Sequence, residues 1–165
     1  YTQGAMKNAA RGLYYPLGSS PMSMGTRCHQ LGEYMIFDSP LCMLCDSPSN
    51  YRKESECTGF IAKVPTVWDE TLPLDGRVGE YIVMARKKGD AWYVGGITNW
   101  DERDVVVDLS FLGEGDWEAE LFRDGVNADR DGTDYRREVL RLDGGRSLPL
   151  HMAPAGGFAL VLRRR

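Results

Sequence analysis

The chain has 165 residues, of which 42% are hydrophobic and 27% charged, and its formal net charge is −4 at pH 7. This composition is typical of one globular domain, or of one small domain with a piece of another. The net negative charge argues against nucleic-acid binding, which needs a basic surface. No apolar run approaches the roughly 20 residues of a membrane helix. The chain begins at Tyr1 without an initiator Met or a signal-peptide pattern, so we expect it to be part of a longer protein.

The first part of the chain carries the signals of a loop, a helix and a strand. Residues 1–21 are rich in Gly, Pro and Ser and predict a long loop. Apolar residues then recur at steps of four and three across residues 24–38, which predicts a helix that Ser23 would cap. The five apolar residues Leu41–Cys45 lie between turn formers, which indicates a strand buried on both faces.

A second helical pattern follows this strand. Its apolar face is formed by Cys57, Phe60, Ile61 and Val64, and Pro65 ends the pattern. The order helix, strand, helix is typical of a parallel α/β layer.

From Val67 onward the sequence changes to apolar and polar residues in alternation, punctuated by Gly and Asp. Residues 81–87 and 91–98 predict a hairpin with a short Gly-containing loop. Further strands are predicted at 104–109, around 117–121, at 138–142 and at 157–162, and residues 124–134 predict a polar loop. Roughly seven strands without a helical pattern among them indicate an antiparallel β-sandwich.

The four cysteines all lie in the first 57 residues. Cys42 and Cys45 form a CxxC pair, which is a zinc or redox signal. The chain has no second CxxC and only two histidines, and residues three apart on a strand point to opposite faces. We therefore favour the interpretation that the cysteines are small buried hydrophobic residues.

Several motifs along the whole chain together resemble glycoside hydrolase family 97, which contains α-glucosidases and α-galactosidases of Bacteroidetes. The motifs are Tyr1-Thr-Gln-Gly-Ala-Met6, Met24-Gly-Thr-Arg-Cys-His-Gln-Leu31, Ser39-Pro-Leu-Cys-Met-Leu-Cys-Asp-Ser-Pro48, Glu56-Cys-Thr-Gly-Phe-Ile61, Val67-Trp-Asp-Glu-Thr71, Gly79-Glu-Tyr-Ile-Val-Met-Ala-Arg86 and Asp124-Gly-Val-Asn-Ala-Asp-Arg130. The resemblance implies a parent enzyme with an N-terminal β-supersandwich, a central (β/α)8 barrel and a C-terminal β-sandwich.

On this resemblance the fold class is an α+β fragment in two parts. Residues 1–64 would be the C-terminal tail of the catalytic barrel, and residues 65–165 the β-sandwich domain, which is proposed to serve in oligomerisation. Residues 24–38 would be the seventh barrel helix and residues 41–45 the eighth strand. The implied partners are the rest of the barrel, a second copy of the protein, and an oligosaccharide substrate of the parent. The implied location is the periplasm or the cell exterior.

The resemblance also implies that the catalytic carboxylates and the glutamates that bind calcium in this family lie N-terminal to Tyr1. We therefore assign no catalytic and no metal-binding residue in this chain, and calcium is implied only for the parent enzyme. Glycoside hydrolysis needs two carboxyl groups on either side of one bond, roughly 5–10 Å apart. Glu54 with Glu56, and Asp69 with Glu70, are instead expected to be solvated or capping residues.

One residue is a candidate for contact with substrate. Asp46 directly follows the predicted eighth strand, at the end of the strand where barrels place their active sites. It could bind sugar hydroxyls with the help of Ser47 or Tyr51, and residues 1–3 could line the same mouth. The alternative, which we favour, is that Asp46 caps the next turn or helix by binding backbone N–H groups.

Two functions from different classes follow. In the first, the chain is the C-terminal portion of a family 97 enzyme acting on α-glucosides or α-galactosides, has a structural and oligomerisation role, and is inactive alone. In the second, it is a stand-alone carbohydrate-binding β-sandwich module whose tryptophans stack on sugar rings. Of Trp68, Trp92, Trp100 and Trp117, we expect most to be core residues and Trp100 to be the most exposed.

A further expectation concerns residues 1–64. One strand and two helices do not close a barrel, so the strand at residues 41–45 would keep an unpaired edge. An exposed apolar edge strand promotes aggregation. We therefore expect these residues to be disordered, wrapped onto the sandwich, or covered by another chain.

Overall fold

The structure is a computed structural model that describes residues 2–15, 17–143 and 147–165. The strands are β1 Thr2–Gln3, β2 Asn8–Ala9, β3 Ser23–Met24, β4 Met43–Leu44, β5 Glu70–Arg77, β6 Tyr81–Lys88, β7 Ala91–Thr98, β8 Arg103–Asp108, β9 Asp116–Asp124, β10 Tyr135–Asp143, β11 Ser147–Met152 and β12 Gly157–Arg164. The α-helices are α1 Arg27–Ile36, α2 Pro48–Lys53 and α3 Ser55–Ile61. In the described part of the chain no helix is long and apolar enough to cross a membrane.

An antiparallel sheet of six strands forms the centre of the molecule, in the order β10-β9-β12-β7-β6-β5. The predicted hairpin is confirmed, since β6 and β7 pair from Tyr81 opposite Thr98 to Lys88 opposite Ala91. Gly89 closes this hairpin with a φ of 56°, a backbone conformation that glycine adopts without strain.

A second layer covers one face of this sheet. Strands β8 and β11 pair with each other and form a separate two-stranded sheet. In β8, Val105 and Val107 are buried while Val106 between them is exposed, as expected for a strand with one face on a core. Side chains from both layers, including those of Trp92, Trp117 and Phe158, pack together in one hydrophobic core between the two sheets. The prediction of a β-sandwich with buried tryptophans is confirmed for this part of the chain.

The other face of the six-stranded sheet is covered by helices. Cys28, Leu31 and Met35 of α1 lie at helical spacing and are fully buried, and with Phe60 of α3 they pack on Phe122 and other sheet residues. The helix begins later than predicted: Thr26, not Ser23, caps it by accepting a hydrogen bond from the His29 N–H. Residues 23 and 24 instead form β3, which pairs with β2.

Both ends of α1 are bonded to the sandwich. At the N-terminal end, the Thr26 N–H donates to the Ala155 carbonyl at 3.0 Å. At the other end, Arg86 of β6 donates to the carbonyls of Met35 and Ile36, which have no partner within the helix. Among the three states expected for residues 1–64, the structure therefore shows the segment wrapped onto the sandwich, and elements on both sides of the predicted boundary at residue 64 share one core.

The prediction that Leu41–Cys45 is buried on both faces is wrong for this chain. Only Met43 and Leu44 form a strand, which pairs in parallel with β1. Leu41 and Met43 are 69% and 53% exposed. The reason is that the described part of the chain supplies one neighbouring strand of two residues and no layer to cover the side chains, so the apolar run has nothing to pack against.

Candidate functional site

The described part of residues 1–64 is called the α/β segment. Its polar centre is Arg27, the first residue of α1, which is 1% exposed. Its Nε donates to Asn8 Oδ1 at 2.8 Å, and its Nη1 donates to Glu54 Oε2 at 2.9 Å. Its Nη2 donates to the Met6 carbonyl. Burial acts to lower the pKa of Arg27, but the hydrogen bonds to Glu54 and Cys57 outweigh it and the pKa is raised. The charged guanidinium thus joins the N-terminal loop, α1 and the α2–α3 junction.

Asp46 follows β4 and accepts hydrogen bonds from three donors. Its Oδ2 accepts from the Met6 N–H at 2.8 Å, and its Oδ1 accepts from the Ser47 N–H and the Asn50 side-chain amide, each at 2.7 Å. Partial burial acts to raise the pKa of Asp46, but these hydrogen bonds lower it below the ordinary value. Asp46 thus binds two backbone N–H groups, those of Met6 and Ser47, whereas the N-cap of α2 is Ser47. A role of Asp46 in binding substrate stays a prediction.

The two residues expected to help Asp46 are engaged in similar bonds. The Tyr51 hydroxyl donates to the Gly4 carbonyl at 2.9 Å and accepts from the Asp46 N–H at 3.1 Å. Burial raises the pKa of Tyr51 to about 12, so the phenol stays neutral. The Ser47 hydroxyl accepts from the Asn50 N–H and caps α2.

We expect Asp46→Ala to lower the free energy of unfolding by about 1–3 kcal/mol, because the Met6 and Ser47 N–H groups lose their acceptor. Urea unfolding followed by circular dichroism measures this. The matched control is Glu102→Ala, which removes an exposed carboxylate and should change stability by less than about 0.5 kcal/mol. Equal stability of the two variants would show that Asp46 is not a structural residue.

A cleft of about 480 Å³ runs beside α1. Thr2, Gln3, Tyr14, His29, Glu33 and Trp100 contribute to its lining, and Asp46 does not. Gln3 is 4% exposed, and neither its amide oxygen nor its amide nitrogen has a hydrogen-bond partner. Thr2 and Gln3 therefore line this cleft while Asp46, which follows their partner strand β4, does not, and Tyr1 is outside the described residues.

Trp100 is partly exposed and has a cation as its neighbour. The guanidinium carbon of Arg11 lies 5.8 Å from the centre of the indole ring. In the described residues no aromatic ring stacks on Trp100, whereas Trp68 and Trp92 each contact another ring. Trp92 and Trp117 are buried. The flat pair of exposed rings that a sugar platform needs is not formed by these tryptophans.

The two acidic pairs considered as catalytic candidates bind basic or hydroxyl groups. Glu54 pairs with Arg27, and Glu56 accepts from the Tyr135 hydroxyl at 2.8 Å. Asp69 Oδ1 accepts from Lys88 Nζ at 2.8 Å, which lowers the pKa of Asp69. Glu54 thus binds a residue of α1, Glu56 a residue of β10, and Asp69 a residue of β6.

The cysteines are all free thiols. Cys28 and Cys57 are buried, as predicted, whereas Cys42 and Cys45 are half-exposed. Within the described ranges no three His, Cys, Asp or Glu side chains lie close enough together to hold a metal ion. The calcium implied for the parent stays a prediction.

Sequence reasoning missed Asp124, a buried carboxylate at the end of β9. Its Oδ2 accepts from the N–H groups of Ala153 and Gly157, each at 2.9 Å, and so holds the turn before β12. Burial raises the pKa of Asp124, although the hydrogen bonds act in the opposite direction. The sequence Asp-Gly after a strand gave only the signal of a loop.

The raised pKa predicts a pH-dependent contribution to stability. Between the ordinary carboxyl pKa and the raised one, the folded state binds the Asp124 proton and the unfolded state does not, so this contribution falls as pH rises. Relative to Asp124→Asn, the wild type should lose free energy of unfolding above about pH 4, the ordinary carboxyl pKa, up to the raised pKa of the folded state. Urea unfolding across this range measures the difference, with Asp90→Asn in an exposed turn as the control. A difference that grows with pH would contradict the assignment.

Known proteins resemble this chain in sequence and in fold. The sequence profile described as "Glycosyl-hydrolase 97 C-terminal, oligomerisation" matches residues 67–163. The chain is 60% identical over 163 residues to a retaining α-galactosidase of Bacteroides thetaiotaomicron. This alignment covers 99% of the present chain and 25% of the α-galactosidase. It is 33% identical over 132 residues to a probable retaining α-galactosidase of Streptomyces bingchenggensis, and that alignment covers 80% of the present chain and 20% of the relative.

A solved structure agrees with the sequence relatives. A glycoside hydrolase family 97 enzyme from Pseudoalteromonas sp. strain K8, in complex with panose, superposes with a TM-score of 0.80 at 32% identity. The alignment covers 86% of this chain and 23% of that one. The matched proteins are thus of the glycoside hydrolase class. The profile match spans more than half of the sequence, and the chain belongs to glycoside hydrolase family 97. It spans about a quarter of the length of the Bacteroides relative and about a fifth of the Streptomyces relative.

Proposed function

We propose that this chain is the C-terminal portion of a family 97 α-galactosidase, in which it supports the catalytic barrel and contributes to assembly of the subunits. The observation that carries the proposal is the 60% identity, along 99% of the chain, to a retaining α-galactosidase of which it spans 25%. On this proposal the catalytic carboxylates belong to the remainder of the parent protein, and the separate chain is inactive.

The α/β segment supports a position at the end of a barrel. Strands β1 and β4 are parallel and are connected through α1, which is the connection that repeats around a (β/α)8 barrel. In the described residues β4 has β1 as its one neighbouring strand, and Leu41, Met43 and Leu44 in and before β4 are exposed. We propose that a neighbouring barrel strand and its helix cover this edge in the parent, since an apolar edge left open would promote aggregation.

We propose α-galactosides as the substrates of the parent, because both curated relatives are named for that activity. Calcium, if the parent uses it, would be bound by residues of the remaining chain. A periplasmic or extracellular location follows from the family resemblance alone.

The proposal predicts that the 165-residue chain hydrolyses neither aryl α-galactosides nor aryl α-glucosides above the buffer rate. It also predicts no binding of galacto- or malto-oligosaccharides at millimolar concentration by isothermal titration calorimetry. Turnover by the purified chain would reveal a catalytic pair in these residues. Saturable binding that Trp100→Ala abolishes would favour the stand-alone carbohydrate-binding module instead.

A further inference from the structure

An open groove of about 750 Å³ lies at the turn between β5 and β6. Its apolar lining is formed by Leu74, Val78, Tyr81, Ile82 and Ile97. Val78 stands at the tip of the turn and is fully exposed, with a relative accessibility of 103%. Turn positions favour polar residues, glycine and proline, so an exposed valine beside an apolar groove is unfavourable unless another surface covers it.

The groove lies entirely in the part of the chain that matches the family profile. Its lining runs from Pro73 to Asn99, within the matched residues 67–163 that are described as serving oligomerisation. Four smaller clefts each take at least part of their lining from residues before 67. The α/β segment that would face the catalytic barrel is therefore absent from this groove.

The charges beside the groove are of both signs. Arg77 Nη1 lies 3.2 Å from Glu80 Oε1, and Arg103 Nη2 lies 3.2 Å from Glu80 Oε2. The guanidinium carbon of Arg103 also lies 4.5 Å from the centre of the Tyr81 ring. In a two-fold interface a patch meets its own copy, so a rim of mixed sign allows attraction where a rim of one sign would repel.

Strand addition is not available at this end of the sheet. The register of β5 against β6 shifts between Pro73 and Asp75, and proline lacks the N–H group that a further strand would need. Contacts here must be made by side chains of the turn and the groove.

We propose that this groove is the interface with a second copy of the chain, in which Val78 of each copy packs into the groove of the other. The proposal rests on the proposed function for the oligomerisation role and adds the surface that performs it. Apolar side chains at the centre and charges at the rim are the usual arrangement of a specific interface.

Sedimentation equilibrium of the full 165-residue chain over a range of concentrations tests the proposal. The wild type should be dimeric, and Val78→Asp should raise its dissociation constant at least about tenfold, because a carboxylate would enter an apolar groove. Val126→Asp is the matched control, since Val126 is also exposed, at 81%, but lies outside the groove. Its dissociation constant should equal that of the wild type.

Circular dichroism and urea unfolding of both variants establish that each is folded. A wild type that stays monomeric at every concentration would overturn the proposal. Equal weakening by the two substitutions, or none by Val78→Asp, would also overturn it. A monomeric wild type would also contradict the assembly role in the proposed function, whereas a dimer that Val78→Asp leaves intact would overturn the groove alone. Neither result would change the hydrolysis and sugar-binding measurements above.

Discussion

Gly32→Ala in α1 should destabilise the chain by about 1–3 kcal/mol, although alanine favours a helix over glycine. A Cβ atom on Gly32 would lie 2.9 Å from the Phe158 carbonyl oxygen and 3.0 Å from that of Gly96. A Cβ atom on Gly95 of the sheet would lie 2.6 Å from the Gly32 carbonyl oxygen, and one on Gly157 would lie 3.0 Å from the His29 Cα atom. The backbones of the helix and the sheet therefore pack directly on each other. The added methyl group must push α1 away from the sheet. Chemical unfolding followed by tryptophan fluorescence measures the loss.

The matched control is Gly59→Ala in α3, another glycine inside a helix. A Cβ atom on Gly59 meets nothing within 4 Å, so only the helix preference acts. This variant should gain about 0.5–1 kcal/mol. Opposite signs for the two substitutions are the expected result. A gain at both positions would show that α1 does not lie against the sheet as described.

Arg27→Met should lower the free energy of unfolding by about 3 kcal/mol, since removing one member of a buried charged network leaves its partners unpaired. The Met6 carbonyl and Asn8 Oδ1 would lose their donor inside the α/β segment, while Glu54 is 40% exposed and regains water. Methionine keeps most of the volume, so the loss reports the hydrogen bonds. Amide hydrogen exchange should show the N-terminal loop opening before the sandwich.

Arg130→Met is the control for this experiment. Arg130 is 85% exposed and pairs with Asp129 on the surface, so its loss should change stability by at most about 0.5 kcal/mol. Similar effects of the two substitutions would show that Arg27 does not hold the segment together.

The sandwich was predictable because its strands alternate and local turns separate them. The strands β5 and β11 were not predicted as separate elements, since Pro73 and Pro149 interrupt their patterns. Both prolines are tolerated because each strand lies at the edge of its sheet. Pattern reasoning assigns such strands poorly, since the position of a strand within a sheet is not a local property.

The site residues depended on contacts far along the chain. Arg27 binds a residue 27 positions away, and Asp124 binds N–H groups 29 and 33 positions away. No spacing rule in the sequence indicates such pairs. The wrong prediction for Leu41–Cys45 has the same cause, because burial of an apolar run requires neighbours that these described residues do not supply.

The most direct test of the proposed function is a chimera in which this chain replaces the matching 163-residue segment of the Bacteroides thetaiotaomicron α-galactosidase. We expect the chimera to hydrolyse an aryl α-galactoside with kcat/KM within about tenfold of the parent value, because on the proposed function the catalytic groups belong to the remainder of the parent. The same enzyme without the segment should be inactive. A folded chimera that lacks activity, or full activity without the segment, would contradict a supporting role for this chain.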